Sequence, residues 1–471
     1  MRIPVKTGTR APNQGNGLSA VPDDQGRPRA ALFNLRSVAT RGIIRGGSAG
    51  VKSGARLMDK PSAPSLANVS NCGAVVMVLF CFLCVSSLCR AQDHDVLCSH
   101  GSGSFEAEFH GGVIVQVRAA RNGKLATRGC EATLGWDKHS VIVATGVSQL
   151  DVDAFGVDLG LGVPVAAFQV KKSDSECCMA YQIYSLERPP RLLRTITGGD
   201  FFSAADTDLD GRVEIWTDDA GAVGSFENLA VTELRVPPTI VLRFAHGELL
   251  DVSSEFRPYF DHEIAGLREE LDSEDLHDFK GSDGKLSPNA PFSAERLHLL
   301  RGVKAKILEI VWCYLYSGRE REAWRSLVEM WPTADVDRIR AAILSVRARG
   351  ISAQVNGVSA GGPGTLTKRA AIFDATSGSA GRKPEVIPPA PILLWRPPPL
   401  GSPDQGLPQA ELLLELVIDS AGKVRSAELA GKTKSGDADL IHGATGWKFI
   451  PAFKGGRAVA SRMRLAVSPR Q

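Results

Sequence analysis

The chain lacks the short patterns that mark common catalytic machinery. In its 471 residues there is no His-Glu-x-x-His, no Gly-x-Ser-x-Gly elbow stands out, and no glycine loop is placed to cradle a phosphate. Zinc proteolysis, α/β-hydrolase chemistry and nucleotide hydrolysis therefore drop behind other readings. The nine His are scattered. Also missing is an apolar run of the roughly 20 residues a bilayer-spanning helix needs. The strongest run, Ala74–Val85, extends over about 12. No segment recurs at a fixed period, which argues against a complete propeller or a solenoid. Among the five cysteines after residue 92 (Cys98, Cys130, Cys177, Cys178 and Cys313), no pair has zinc spacing.

What is present is uneven in charge. The net charge of +3 conceals a head, residues 1–57, with ten Lys/Arg against Asp23 and Asp24. That head is rich in Gly, Ala, Ser and Arg, shows no helical or strand period, and has too little apolar surface to order itself. We expect a disordered tail or a start placed too early, and no nucleic-acid partner. From Met58 to Gln92 come Lys60, the apolar run, then small residues before Ala91–Gln92. This is the order of a secretory signal peptide. Cleavage near Gln92 gives a periplasmic or secreted protein; an uncleaved leader gives an inner-membrane anchor. An oxidising compartment permits a bridge such as Cys98–Cys130, and the odd cysteine leaves a thiol over.

The remaining chain divides by period and composition. Residues 92–255 read as a β-rich domain, a sandwich or partial propeller, with runs such as "GGVIVQVRA" and "VPVAAFQV" between Gly, Asp and Pro punctuation. Residues 256–351 read as a helical subdomain packed on it. Leu297, Leu300, Ile307, Val311 and Leu315 recur at helical spacing, Ser293 is the N-cap, and Gly318 ends the helix. "YLYSGREREAWRSLVEMWPTAD" resembles one tetratricopeptide-type pair, a single copy that cannot bury its own face. Residues 352–408 read as a Gly/Ser-rich and then Pro-rich linker, with nine prolines in "PEVIPPAPILLWRPPPLGSPDQGLP". Such a stretch favours an extended, semi-rigid spacer.

Residues 409–471 read as a compact α+β unit of two strands, a helix and a strand. Leu412, Leu414, Leu416 and Ile418 share one strand face, "DSAG" turns the chain, and Leu440, Ala444 and Trp447 line one side of a helix. "DSAGKV", "GDADLIHGATGWKFIPA" and "KGGRAV", in that order, resemble the TonB C-terminal domain family. The resemblance implies a periplasmic domain that pairs a sheet edge with a short peptide of an outer-membrane receptor or another envelope protein. The edge it implies is the strand Val459–Val467, with Val459, Ser461, Met463, Leu465 and Val467 as partner-binding residues. An exposed edge offers unpaired N–H and C=O groups that an extended peptide completes. Membrane contact and force transduction follow only if the leader is uncleaved; the apolar run holds Ser86 and Ser87 but no His.

The stretch Asp206–Glu214, "DTDLDGRVE", places carboxylates at alternate positions before a glycine. An EF-hand needs a bidentate Glu at the twelfth position, but Thr217 stands there and "RVEIWT" is strand-like. The pattern resembles the FG-GAP or VCBS calcium hairpin. The resemblance implies a structural Ca2+ held by Asp206, Asp208, Asp210, the Arg212 carbonyl and Glu214, with Gly211 permitting the bend; the plain alternative is a solvated polar turn. His94, Cys98 and His100 form a weaker metal candidate, and Glu269, Glu270 and Asp272 read as a solvated face. The function expected is protein–protein interaction at the bacterial cell envelope, linked to receptor-mediated transport, and not catalysis. The alternatives are an anchored TonB-type energy transducer and a secreted hydrolase whose site assembles from distant residues.

Overall fold

A computed structural model describes residues 96–109, 112–121, 128–175, 177–224, 226–229, 233–287, 292–359, 370–375, 391–395, 412–430 and 437–467. The basic head (1–72) and the leader (73–91) lie outside the described residues.

The central strands come as three successive antiparallel meanders. A two-residue strand β1 (Cys98–Ser99) precedes β2 (Phe105–Phe109), β3 (Val113–Arg121), β4 (Arg128–Trp136) and β5 (His139–Val147). The second meander is β6 (Gln149–Val157), β7 (Val165–Lys171), β8 (Met179–Ser185) and β9 (Leu192–Gly199), with β1 added along β6. The third is β10 (Phe202–Ala205), β11 (Glu214–Asp218), β12 (Thr239–Ala245) and β13 (Glu248–Asp251). Each strand pairs with its sequence neighbour, as short connections dictate.

Burial explains the layering. In β7, Ala166, Phe168 and Val170 join a core with Val115, Val117, Ala132 and Leu134 of the first meander. Val165 and Ala167 point the other way, into a core shared with Ile215, Ile240 and Leu242 of the third. A strand covered on both faces has to be apolar throughout, which is why "VPVAAFQV" runs without alternation. The second meander is the middle layer. A Cys98–Cys130 disulfide ties β1 to β4 across 32 residues of sequence, a loop length that corresponds to about 3–4 kcal/mol of loop-closure stabilisation.

The helices roof the third sheet. They are α1 (Ala220–Val223), α2 (Arg257–Glu269), α3 (Ser273–Lys280), α4 (Ala294–Tyr316), α5 (Glu320–Met330) and α6 (Val336–Arg347). The Ser293 hydroxyl accepts the Arg296 N–H at 3.1 Å and so caps α4. Leu300, Ile307, Val311 and Leu315 of α4 are buried in the same core as the third sheet, so helices and sheets share one apolar interior. No described helix is long and apolar enough to cross a membrane.

The segment 352–408, expected as a spacer, instead contributes short strands: β14 (Gly357–Val358), β15 (Phe373–Asp374) and β16 (Ile392–Trp395). The prolines flank the "ILLW" run rather than interrupt it, so its backbone N–H groups remain available for pairing. Beyond it lie β17 (Leu412–Ile418), β18 (Val424–Leu429), α7 (Asp437–Ala444), β19 (Lys448–Ile450), β20 (Ala452–Lys454), β21 (Arg457–Val459) and β22 (Ser461–Val467). β14 pairs with β13, β15 with β22, and β16 with β19. The segment therefore stitches the C-terminal unit to the body. The C-terminal sheet has the order β15-β22-β17-β18. Its core holds Leu414, Leu416, Ile418, Ala444, Trp447 and Val467, with Leu440, Met463 and Leu465 packed against it.

Asp218, at the end of β11, shows how this interior treats charge. It is 1% exposed; Oδ1 accepts the Asp200 N–H at 2.7 Å, while Oδ2 has no hydrogen-bond partner among the described residues. Burial pushes its carboxyl up to about 7. An unfolded aspartate ionises near pH ~4. The native state thus keeps a proton the unfolded state has released, and this group's contribution is complete below pH ~4 and lost as pH rises through about 7. Asp218→Asn removes that loss. Urea denaturation should show the variant gaining about 3 kcal/mol on the parent between about pH 5 and pH 8; parallel pH dependences would refute the assignment.

Candidate functional site

The acidic stretch is a hairpin loop between β10 and β11, closed by the pair Ala205–Glu214. Its flanks are strands, so the helical EF-hand is excluded. Gly211 adopts φ +87°, and Leu209 also has positive φ, which turns the chain back sharply. One carboxylate oxygen each from Asp206, Asp208 and Asp210 lies within 4.8 Å of the others. Asp206 Oδ1 accepts the Asp210 N–H at 2.9 Å and Oδ2 the Gly211 N–H at 3.0 Å. Burial, together with the neighbouring Asp210 and Asp208 charges, pushes the Asp206 carboxyl up.

One of the five expected ligands stands differently. Glu214 is fully buried and outside the converging trio. Its Oε1 accepts Arg243 Nε and Nη2 at 3.1 and 3.0 Å, and its Oε2 accepts the Thr207 N–H at 3.1 Å. A buried carboxylate takes the nearest fixed cation, and Arg243 lies directly across the ladder from it. Arg212 folds its guanidinium onto Asp210, with Nε 2.6 Å from Oδ2. Of the weaker metal candidate, Cys98 is in its disulfide and His94 lies outside the described residues.

The hairpin is also a seat. The Asp419–Gly422 turn of the C-terminal unit rests on it: Ser420 Oγ donates to Asp206 Oδ2 at 2.8 Å, and the Asp206 N–H donates to Asp419 Oδ2 at 3.1 Å. Asp419 is completely buried, which pushes its carboxyl up to about 6. Gly422, at φ +83°, has no room for a side chain, because a Cβ would stand 1.9 Å from the Phe449 carbonyl oxygen. Ala370, from the supposed spacer, donates its N–H to the Leu209 carbonyl at 2.7 Å.

Beside the seat lies a charged network that the sequence reading missed. Lys423 Nζ donates to Asp153 Oδ1 at 2.6 Å, and Lys448 Nζ donates to Asp151 Oδ2 at 2.6 Å. Asp153 Oδ2 accepts from Tyr181 Oη at 2.6 Å and from the Ala204 N–H at 2.8 Å. Burial draws the Lys448 ammonium down, with Asp151 opposing. The signal was present in "QLDVDAFGV", where two acids at alternate positions share one face of an otherwise buried strand. Both lysines belong to the quoted C-terminal motifs.

The expected edge strand needs one correction. Val459 is not part of it: the Gly455–Gly456 turn zips β20 to β21, and Val459 pairs with Ala452 there. Ser461, Met463, Leu465 and Val467 lie on β22, which pairs with β17 along its whole length. On the other flank, β15 covers only Ser461 and Arg462. From Met463 to Val467 that flank has no strand partner among the described residues. Met463, Leu465 and Val467 turn into the domain's own core, while Arg462 and Arg464 are about half exposed on either side of Glu415.

Removing one member of a buried ion pair leaves the other uncompensated. Asp153→Asn and Lys423→Met should therefore each destabilise by about 3 kcal/mol, and the double variant by clearly less than the sum. Additive losses in urea denaturation would show that the pair does not couple.

A scan against protein-family models, a search of curated proteins and a search of solved structures find no match to the chain.

Proposed function

We propose that the protein is an exported component of the bacterial cell envelope, periplasmic or secreted, whose TonB-like C-terminal domain binds an extended peptide by strand addition. The partner is a segment of an outer-membrane receptor or another envelope protein. The observation that carries this reading is the flank of β22 without a strand partner from Met463 to Val467 among the described residues. Backbone pairing supplies affinity there, and side-chain contacts at alternate positions supply selectivity. Arg462 and Arg464 against the single Glu415 leave an excess positive charge on the exposed face, which favours acidic residues in the added strand.

The acidic hairpin fits a structural Ca2+ in this reading. Oxygens about 2.3–2.6 Å from a shared ion stand within about 5 Å of one another, as those of Asp206, Asp208 and Asp210 do. Glu214 is committed to Arg243 and is left out of the ligand set. A cation would relieve the repulsion among the three carboxylates and stiffen the seat of the C-terminal domain.

Two measurements test these assignments. Adding an acidic extended peptide should slow amide exchange across Met463–Val467, and Arg464→Glu should weaken binding about tenfold, or ~1.4 kcal/mol. Protection, already in the free protein, of those Met463–Val467 amides that point away from β17, or binding indifferent to Arg464→Glu, would sink strand addition. Calcium at about 100 times its Kd should stabilise the parent by about 2.7 kcal/mol, and Asp208→Ala should abolish the response. If the response persists in Asp208→Ala, the hairpin is only a turn.

A further inference from the structure

The two disulfides differ in every property that bears on use. Cys98–Cys130 closes a long loop, and both residues are fully buried. Cys177–Cys178 joins neighbours, with Cys177 exposed and Cys178 partly so. A bridge between adjacent residues closes almost no chain, so it removes little freedom from the unfolded state. Stability does not account for it.

Its surroundings suit chemistry better. The pair sits in the connection between β7 and β8 and lines an open cavity of about 300 Å3 together with Lys172, Met179 and Thr197. Lys172 places a positive charge on that rim. Helix α1 runs against the sulfurs: a Cβ on Gly221 would stand 3.6 Å from Cys178 Sγ, and one on Gly224 4.0 Å from Cys177 Sγ. The residue before α1, Asp219, accepts from Tyr316 Oη at 2.7 Å and from the Ile351 N–H at 2.9 Å. A change at the pair therefore meets a helix anchored to the helical roof.

We propose that Cys177–Cys178 is a thiol–disulfide exchange site whose co-reactant is a dithiol. One thiolate of the dithiol attacks Sγ of the exposed Cys177. The Sγ–Sγ bond breaks, and Cys178 leaves as a thiolate that takes a proton from solvent. The second thiolate of the dithiol then attacks the mixed disulfide and releases Cys177, which is protonated in turn. Two electrons pass to the protein, and the dithiol ends as a disulfide. Exposure selects this pair over the buried one, because exchange requires in-line access of the attacking sulfur.

The full chain is titrated with dithiothreitol, alkylated, and mapped by peptide mass. Cys177 and Cys178 should be labelled at about tenfold less reductant than Cys98 and Cys130. Cys313 is buried, its thiol pushed up by that burial, and should stay unlabelled throughout. In the reduced protein phenylarsine oxide should bridge Cys177 and Cys178, located by peptide mass, and in Cys178→Ser it should not attach to that peptide. Amide exchange should rise on reduction in Ala220–Val223. Labelling of both residues before any reductant, reduction only alongside Cys98–Cys130, or unchanged exchange in α1 would each overturn the proposal.

Discussion

Two lysines reaching into two buried aspartates hold the C-terminal domain in place. Asp151 and Asp153 lie on one face of β6, in the middle layer, where an isolated carboxylate would cost several kcal/mol. Lys448 and Lys423 supply the compensation from a different part of the chain, and Tyr181 and the Ala204 N–H complete the coordination of Asp153. Neither side is comfortable alone. The aspartates need the lysines, and the lysines would otherwise bring two ammonium groups to an apolar surface. The pairing fixes the position of one unit on the other more sharply than apolar contact could, because hydrogen bonds to charged groups are directional.

Around that network the rest of the junction falls into order. The "DSAG" turn, which makes the first hairpin of the C-terminal sheet, also lies on the acidic hairpin of the central region. Ala370 and β14 to β16 bind the intervening chain to both bodies. A domain held this way cannot swing on a free tether. Among the described residues, β15 is the one strand on the flank of β22 opposite β17, and it covers only Ser461 and Arg462.

Much of the local structure was legible. Ser293 caps its helix because a hydroxyl before an apolar-periodic run has one good use. β-Branched runs between glycines mark the strands, and alternating leucines and "DSAG" mark β17, β18 and the turn between them, while the short strands β19, β20 and β21 between α7 and β22 go beyond the expected order. The Asp206, Asp208, Asp210 trio converges because alternate residues of a tight loop face inward. Less legible was the fate of Glu214, whose partner Arg243 comes from a strand paired by register rather than by sequence proximity. Val459 reads with β22 in the sequence because two strands separated by one residue look like a single run, but it belongs to β21. The spacer was read from its prolines, which hid the pairing of "ILLW" between them.

The sequence by itself determined most strands of the central meanders, the helix α4 with its cap, the glycine turns, and which three carboxylates share a loop. These depend on period, on glycine's freedom and on neighbours within a few residues. Tertiary structure alone decided that Lys423 meets Asp153, that Ser420 rests on Asp206, and that Glu214 pairs with Arg243. Each of those contacts joins residues far apart in the chain, and only packing in three dimensions chooses such partners.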